Sequence, residues 1–197
     1  TDILINNFFG KTELFTIKEG DLKAQLSSEI KIESNFRTDI KINEKIKNIQ
    51  KLFPRFNLME SFSNVRAEIN NRLVLNFDKT YKLKNYEYKS NGKIKNANFN
   101  LKDLNYNYFI GKNLKKLSIF ETDITTNLNP KKKIINFSGK YSFNEGSKLS
   151  FGISQSINKK LLNLKSNADY KELFEFKALN YTKKKGNLAK IDFDLVK

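Results

Sequence analysis

The stretch "LSSEIKIESNFRTDIKI", residues 26–42, decides how this chain folds. Leu26, Ser28, Ile30, Ile32, Ser34, Phe36, Ile40 and Ile42 take the even positions, and Glu29, Lys31, Glu33, Asn35, Arg37, Asp39 and Lys41 fall between them. Successive side chains of an extended chain point to opposite sides, so the segment carries one apolar and one charged face. What the apolar face touches is the question for the fold and for the function.

The same two-residue period recurs along most of the chain. Val65, Ala67 and Ile69 precede Leu73, Leu75 and Phe77. A three-residue loop over 70–72 would oppose 69 to 73, 67 to 75 and 65 to 77, and we read a hairpin there. One unbroken strand of the same parity is the alternative. In "FSGKYSFNEGSKLSFGIS" (137–154), a loop centred on Glu145, Gly146 and Ser147 pairs 143 with 149, 141 with 151 and 139 with 153. The parity change from Ile94 to Ala97, Phe99 and Leu101 predicts a bulge or bend. The final unit, "FEFKALNYTKKKGNLAKIDFDL" (174–195), reads as two strands about a "KKKGN" turn. Only "NEKIKNIQKLFP" (43–54) breaks the rhythm. Its apolar residues fall three and four apart between Asn43 as cap and Pro54 as stop, which predicts one short amphipathic helix over 43–53.

These patterns predict eight to eleven antiparallel strands in a single unit spanning 1–197, with no βαβ alternation. Few residues remain to cover the apolar faces. The expected architecture is therefore a long twisted antiparallel sheet curled into an open groove. Ile30, Ile32, Phe36, Val65, Ala67, Ile69, Leu73, Leu75, Phe77, Phe137, Leu149, Phe151, Ile153, Ile191 and Phe193 are its candidate lining, and each of them fits a closed core equally well. Tyr86, Tyr88, Tyr106 and Tyr108 are candidates for the groove lip.

Composition narrows the chemistry. The chain has no Cys, His or Trp, which removes disulfides, thiolate nucleophiles and the commonest general base and metal ligand. Its carboxylates are scattered singly among lysines, so neither an enzyme nor a cofactor is expected. The net charge of +16 raises the question of nucleic acid. Only four basic residues are Arg (37, 55, 66 and 72), and bidentate base readers favour Arg. The lysines alternate outward along strands, as on a solvated face. Nucleic acid is not an expected partner. No apolar run approaches the 20 or so residues of a spanning helix. The opening Thr and an end in mid-pattern suggest a segment of something longer.

"FKALNYTKKKGNLAKIDFDL" (176–195), "GKIKNANFNL" (92–101) after "YKLKNYEYKSN" (81–91), and "IKNIQKLFP" (46–54) together resemble the AsmA-like proteins, bacterial bridge-like lipid-transfer proteins. The likeness is to a mid-chain section of the long members and extends over about residues 12–197, through alternating strands and a "Y-x-K-x-x-G-x-x-A-x-I" hairpin at Tyr181 to Ile191. It implies a periplasmic groove of twisted β-sheet, tethered to the inner membrane by parts of the chain not present here. It also implies phospholipid as the partner, carried toward the outer membrane, and no catalytic residues. Two alternatives remain open from the residues: a fragment of an outer-membrane β-barrel, and a basic module that binds nucleic acid or another polyanion.

Overall fold

The computed structural model describes residues 1–27, 29–43, 62–101, 114–158, 161–176 and 180–197. Its strands are β1 (Asp2–Lys11), β2 (Phe15–Leu26), β3 (Ile30–Asn43), β4 (Phe62–Phe77), β5 (Leu83–Asn100), β6 (Lys116–Leu128), β7 (Lys132–Phe143), β8 (Leu149–Asn158), β9 (Leu161–Tyr170), β10 (Phe174–Phe176), β11 (Tyr181–Lys183) and β12 (Ala189–Val196). Ten of them form one antiparallel sheet in the order β1-β2-β3-β4-β5-β6-β7-β8-β9-β12, and β10 and β11 form a separate pair. β1 and β12 lie at opposite edges, so the sheet is not closed into a barrel. The mainly β, antiparallel expectation holds. The helix expected over 43–53 lies, beyond Asn43 at the end of β3, outside the described residues.

Three expectations are corrected. Residues 65–77 are not a hairpin but part of one strand, which pairs with β3 from Ile30↔Phe77 to Asn43↔Asn64 and with β5 on its other side. The supposed turn residue Asn71 is a buried pin. Its amide Nδ2 donates to Phe36 O (3.1 Å), Thr38 Oγ1 (2.9 Å) and Ile69 O (3.1 Å), and its Oδ1 accepts from Tyr88 Oη (2.7 Å). Two flanking ladders and four side-chain bonds outweigh the turn preference of Asn.

The β7–β8 hairpin exists, but its register is two residues from the expected one: Tyr141 opposes Leu149, Gly139 opposes Phe151 and Phe137 opposes Ile153. The reversal is made at Asn144 and Glu145, at φ of 47° and 64°, which leaves Phe143 to pair with Leu117 of β6. The side facing the core is unchanged because a two-residue slip preserves parity. Finally, Tyr181 to Ile191 is not a hairpin. β11 pairs with β10, while β12 crosses to pair with β9, Ala189 opposite Tyr170 and Val196 opposite Asn163.

Bulges change the parity of several strands so that one face stays apolar. β2 shifts register against β3 between Lys18 and Asp21, with Glu19 at φ 52°. β6 shifts against β7 between Phe120 and Asp123, with Glu121 at φ 41°. The bend expected between Ile94 and Ala97 is present as a register shift at Arg66/Ala67 against β5. Among the described residues the largest fully buried side chains are small ones, Thr122 and Ser142. The chain exposes 14254 Å², whereas a compact monomer of 23.0 kDa exposes roughly 9,600 Å². One layer of sheet accounts for the difference in kind: it has two faces and little interior.

Candidate functional site

Following the registers from strand to strand gives rows of side chains that cross the sheet on one face. One row runs Ile42, Val65, Ala97, Ile119, Tyr141, Leu149, Tyr170 and Ala189; the next runs Ile40, Ala67, Ile94, Thr122, Gly139, Phe151, Ala168 and Ile191. The opposite face carries the charges and is laced by cross-strand ion pairs, among them Lys18–Asp39, Arg37–Glu68 (3.4 Å), Lys93–Asp123 (3.8 Å) and Lys165–Asp194 (3.3 Å). Such solvated pairs add little stability each, about 0–1 kcal/mol, but they keep that face in water.

On the apolar face β6 to β10 and β12 line an open hollow of about 450 Å³, formed by Leu117, Ile119, Tyr141, Phe143, Phe151, Ile153, Ala168, Tyr170, Phe174 and Ile191. Small residues let the backbones bring this wall together. A Cβ on Gly139 would sit 2.6 Å from the Thr122 Cα, and one on Gly92 would sit 2.2 Å from Glu68 O. The two tyrosines offer no free hydroxyl to the hollow, because Tyr141 Oη donates to Asp169 O and Tyr170 Oη to Leu173 O (3.1 Å). Burial pushes both phenols up to about 12, with smaller contributions from Glu172 beside both and Asp169 beside Tyr141. The lining therefore presents carbon.

At one end the hollow is bordered by Phe174 of β10, which pairs with β11. Phe174 meets Tyr170 edge-on at 6.4 Å between ring centroids, and Tyr170 meets Phe143 at 6.2 Å. The buried Lys183 clamps this corner: its Nζ donates to Glu172 O (2.7 Å) and Lys184 O (3.1 Å) and lies 5.3 Å from the Tyr170 ring centre. At the other end, polarity returns with Thr126, Gln155 and Ser166, and Asn71 and Ser90 continue the same polar band across β4 and β5. Beyond that band a second apolar area, including Ile32, Leu73 and Leu75, covers β1 to β5.

All fifteen candidate lining residues fall on this apolar face by register. Of them Val65 (9% exposed) and Ala67 (5%) are buried, whereas Ile153, Ile191 and Phe193 are 38%, 40% and 50% exposed; the other ten lie between. Phe151, Ile153 and Ile191 are brought together in the hollow, Phe137 lies one row away, and the β3 and β4 positions belong to the other end of the sheet. Tyr86 and Tyr88 share the face, half-buried, and Tyr88 is tied to Asn71. Tyr106 and Tyr108 lie outside the described residues.

Seven lining residues are additional to the expected set: Leu117, Ile119, Tyr141, Phe143, Ala168, Tyr170 and Phe174. The signal for β9 is present in the alternation of Leu162, Leu164, Ala168 and Tyr170. Phe120, in contrast, lies off the apolar face with the Lys148 Nζ 4.7 Å from its ring centre. Among the described residues no group of three or more acidic side chains is placed to hold a metal, and no helix is long and apolar enough to cross a membrane. Comparison with protein-family models, curated proteins and solved structures finds no match.

Proposed function

We propose that this chain is a segment of a periplasmic lipid-transfer protein of AsmA-like type, in which the apolar face of the sheet forms the wall of a groove for phospholipid acyl chains. The observation that carries the reading is the direction in which the apolar side chains lean. Strands two apart in a sheet are separated by about 9.6 Å, yet Phe8 of β1 and Phe36 of β3 approach to 6.4 Å between centroids, with Gly20 of β2 between them. At the other end Tyr141 of β7 reaches over β8 to Asp169 O of β9. Gly20 leaves room for the Phe8 ring, and convergence of this kind is what a concave apolar face would produce, which supports the groove reading.

A barrel wall facing lipid would carry its apolar residues on the outer side, where neighbours diverge. An inner apolar face that stays half-exposed suits hydrocarbon. Each methylene moved from water to such a surface gains about 0.8 kcal/mol, and the attraction has no preferred direction. A chain can therefore slide from row to row without breaking a specific bond. The carbon-only lining of the hollow holds the tail and leaves the head group to solvent.

Native mass spectrometry of the protein purified without detergent tests this reading. Phospholipid mass adducts that survive gentle ionisation are the expected result. A bare polypeptide mass, unchanged after incubation with phospholipid vesicles, overturns it.

A further inference from the structure

We infer that the β6–β9 end of the apolar face binds an anionic lipid in one fixed direction, with its tail under the Phe174 corner and its head beside Lys131 and Lys133. This rests on the hydrocarbon reading of the hollow and adds the direction and the charge of the ligand. Three features are aligned along the strands. Tyr170, Phe143 and Phe174 border one end with rings whose polar atoms are already bonded to backbone carbonyls. Next come Phe151, Ala168 and Ile153, all apolar.

The face then turns polar at Gln155, opposite Ile135 and Leu164, and reaches Lys133, which opposes Ile157 and Leu128. From Leu149 to Ile157 the strand rises about 27 Å, the span of an extended amphiphile with its head. Lys133 stands on the apolar face by register and Lys131 adjoins it in the β6–β7 turn, which Asn129 Oδ1 fixes by accepting from the backbone amides of Lys131 and of Lys132, the first residue of β7, whose side chain points to the opposite face. Both Lys131 and Lys133 are exposed, and among the described residues neither has a carboxylate within ion-pair distance. Several lysines elsewhere are paired with acids and, among the described residues, Lys41 and Lys140 stand unpaired on the charged face, whereas Lys133 stands on the apolar face, at the open end of a hydrocarbon slot. The charge of Lys131 and Lys133 is complementary to a head of net negative charge and much less so to a zwitterionic one of the same chain length.

Binding of lysophosphatidylglycerol and lysophosphatidylcholine with identical chains, followed by native mass spectrometry at low salt, tests the proposal. The parent protein should prefer the anionic probe by about tenfold or more, with each lysine near the surface contributing about fivefold. Lys131→Gln/Lys133→Gln should remove that preference while leaving the zwitterionic affinity unchanged, since these exposed side chains support no packing. Salt should act in the same sense. Equal affinity of the parent for the two probes, or an unchanged preference in the double variant, overturns the inference and leaves the hydrocarbon slot standing. Failure of both probes to bind overturns the slot as well.

Discussion

Replacing Ile153 by Asp separates a lipid-lining residue from a core residue. Ile153 sits on the hollow floor opposite Phe137 and Ser166 and is 38% exposed. Complete burial of an isoleucine is worth about 1.5–3 kcal/mol, so the part of Ile153 still open to a ligand corresponds to about 0.6–1 kcal/mol. Asp forfeits that contact and also sets a carboxylate against the hydrocarbon. Desolvating it costs several kcal/mol unless it takes up a proton. At neutral pH the affinity for a lipid probe should fall at least tenfold, and part of the loss should be recovered at low pH as the new carboxyl is neutralised.

The folded state has less at stake, because the carboxylate can stay hydrated on the open side. Thermal unfolding by circular dichroism should show a loss of about 1–2 kcal/mol from the buried portion of the side chain. Val65→Asp, at a position only 9% exposed, should prevent folding and so calibrates what a core position does. Lipid binding by Ile153→Asp equal to that of the parent would refute the assignment of the hollow. Collapse of the fold comparable to Val65→Asp would make Ile153 core.

Three further outcomes follow from the geometry. Gly92→Ala should cost about 2–3 kcal/mol in urea unfolding, because its Cβ would lie 2.2 Å from Glu68 O and 2.7 Å from the Ile69 Cα, both backbone atoms that move only with the sheet; a change under 0.5 kcal/mol would contradict the close approach. Asn71→Ala should cost about 2–4 kcal/mol by the same assay, since it removes four hydrogen bonds from a buried site and strands the Tyr88 hydroxyl; a neutral outcome would remove Asn71 as the pin of β3–β5. For Tyr141 and Tyr170 the folded pKa of about 12 lies above the ordinary 10.0, so the stability they contribute is complete below pH 10 and is lost as pH rises toward 12, by up to roughly 2–3 kcal/mol for each phenol. Phenolate absorbance should show Tyr141 and Tyr170 ionising late and together with unfolding; ionisation of both near pH 10 in the folded protein would contradict their burial.

Parity was the legible part of the sequence. Ile30 to Ile42 and Val65 to Phe77 could be assigned to one face from alternation alone, and the β7–β8 hairpin from the apolar sets on either side of Asn144 to Lys148. A reversal and a continuation across Asn70, Asn71 and Arg72 preserve the same parity, so the residues themselves could not separate hairpin from strand. The lengths of the partners decide it: β3 and β5 both extend past that point and need a ladder between them.

The bulges at Glu19 and Glu121 were hidden for a different reason. Both residues adopt positive φ without being Gly or Asn, and only the odd spacings Ile17 to Leu22 and Ile119 to Ile124 betray them. The corner formed by Tyr170, Phe174 and Lys183 was invisible for a third reason: it depends on β12 crossing to β9 and leaving β10 and β11 as a flap, a choice of partner that local pattern does not encode.

The most direct test places a photoreactive phenylalanine analogue at Phe151 on the apolar face and, separately, at Ser154 on the opposite face of the same strand. With phospholipid vesicles present during irradiation, the account predicts covalent lipid adducts from position 151 and none from position 154. Adducts from both faces alike, or from neither, would contradict an apolar inner wall that carries lipid.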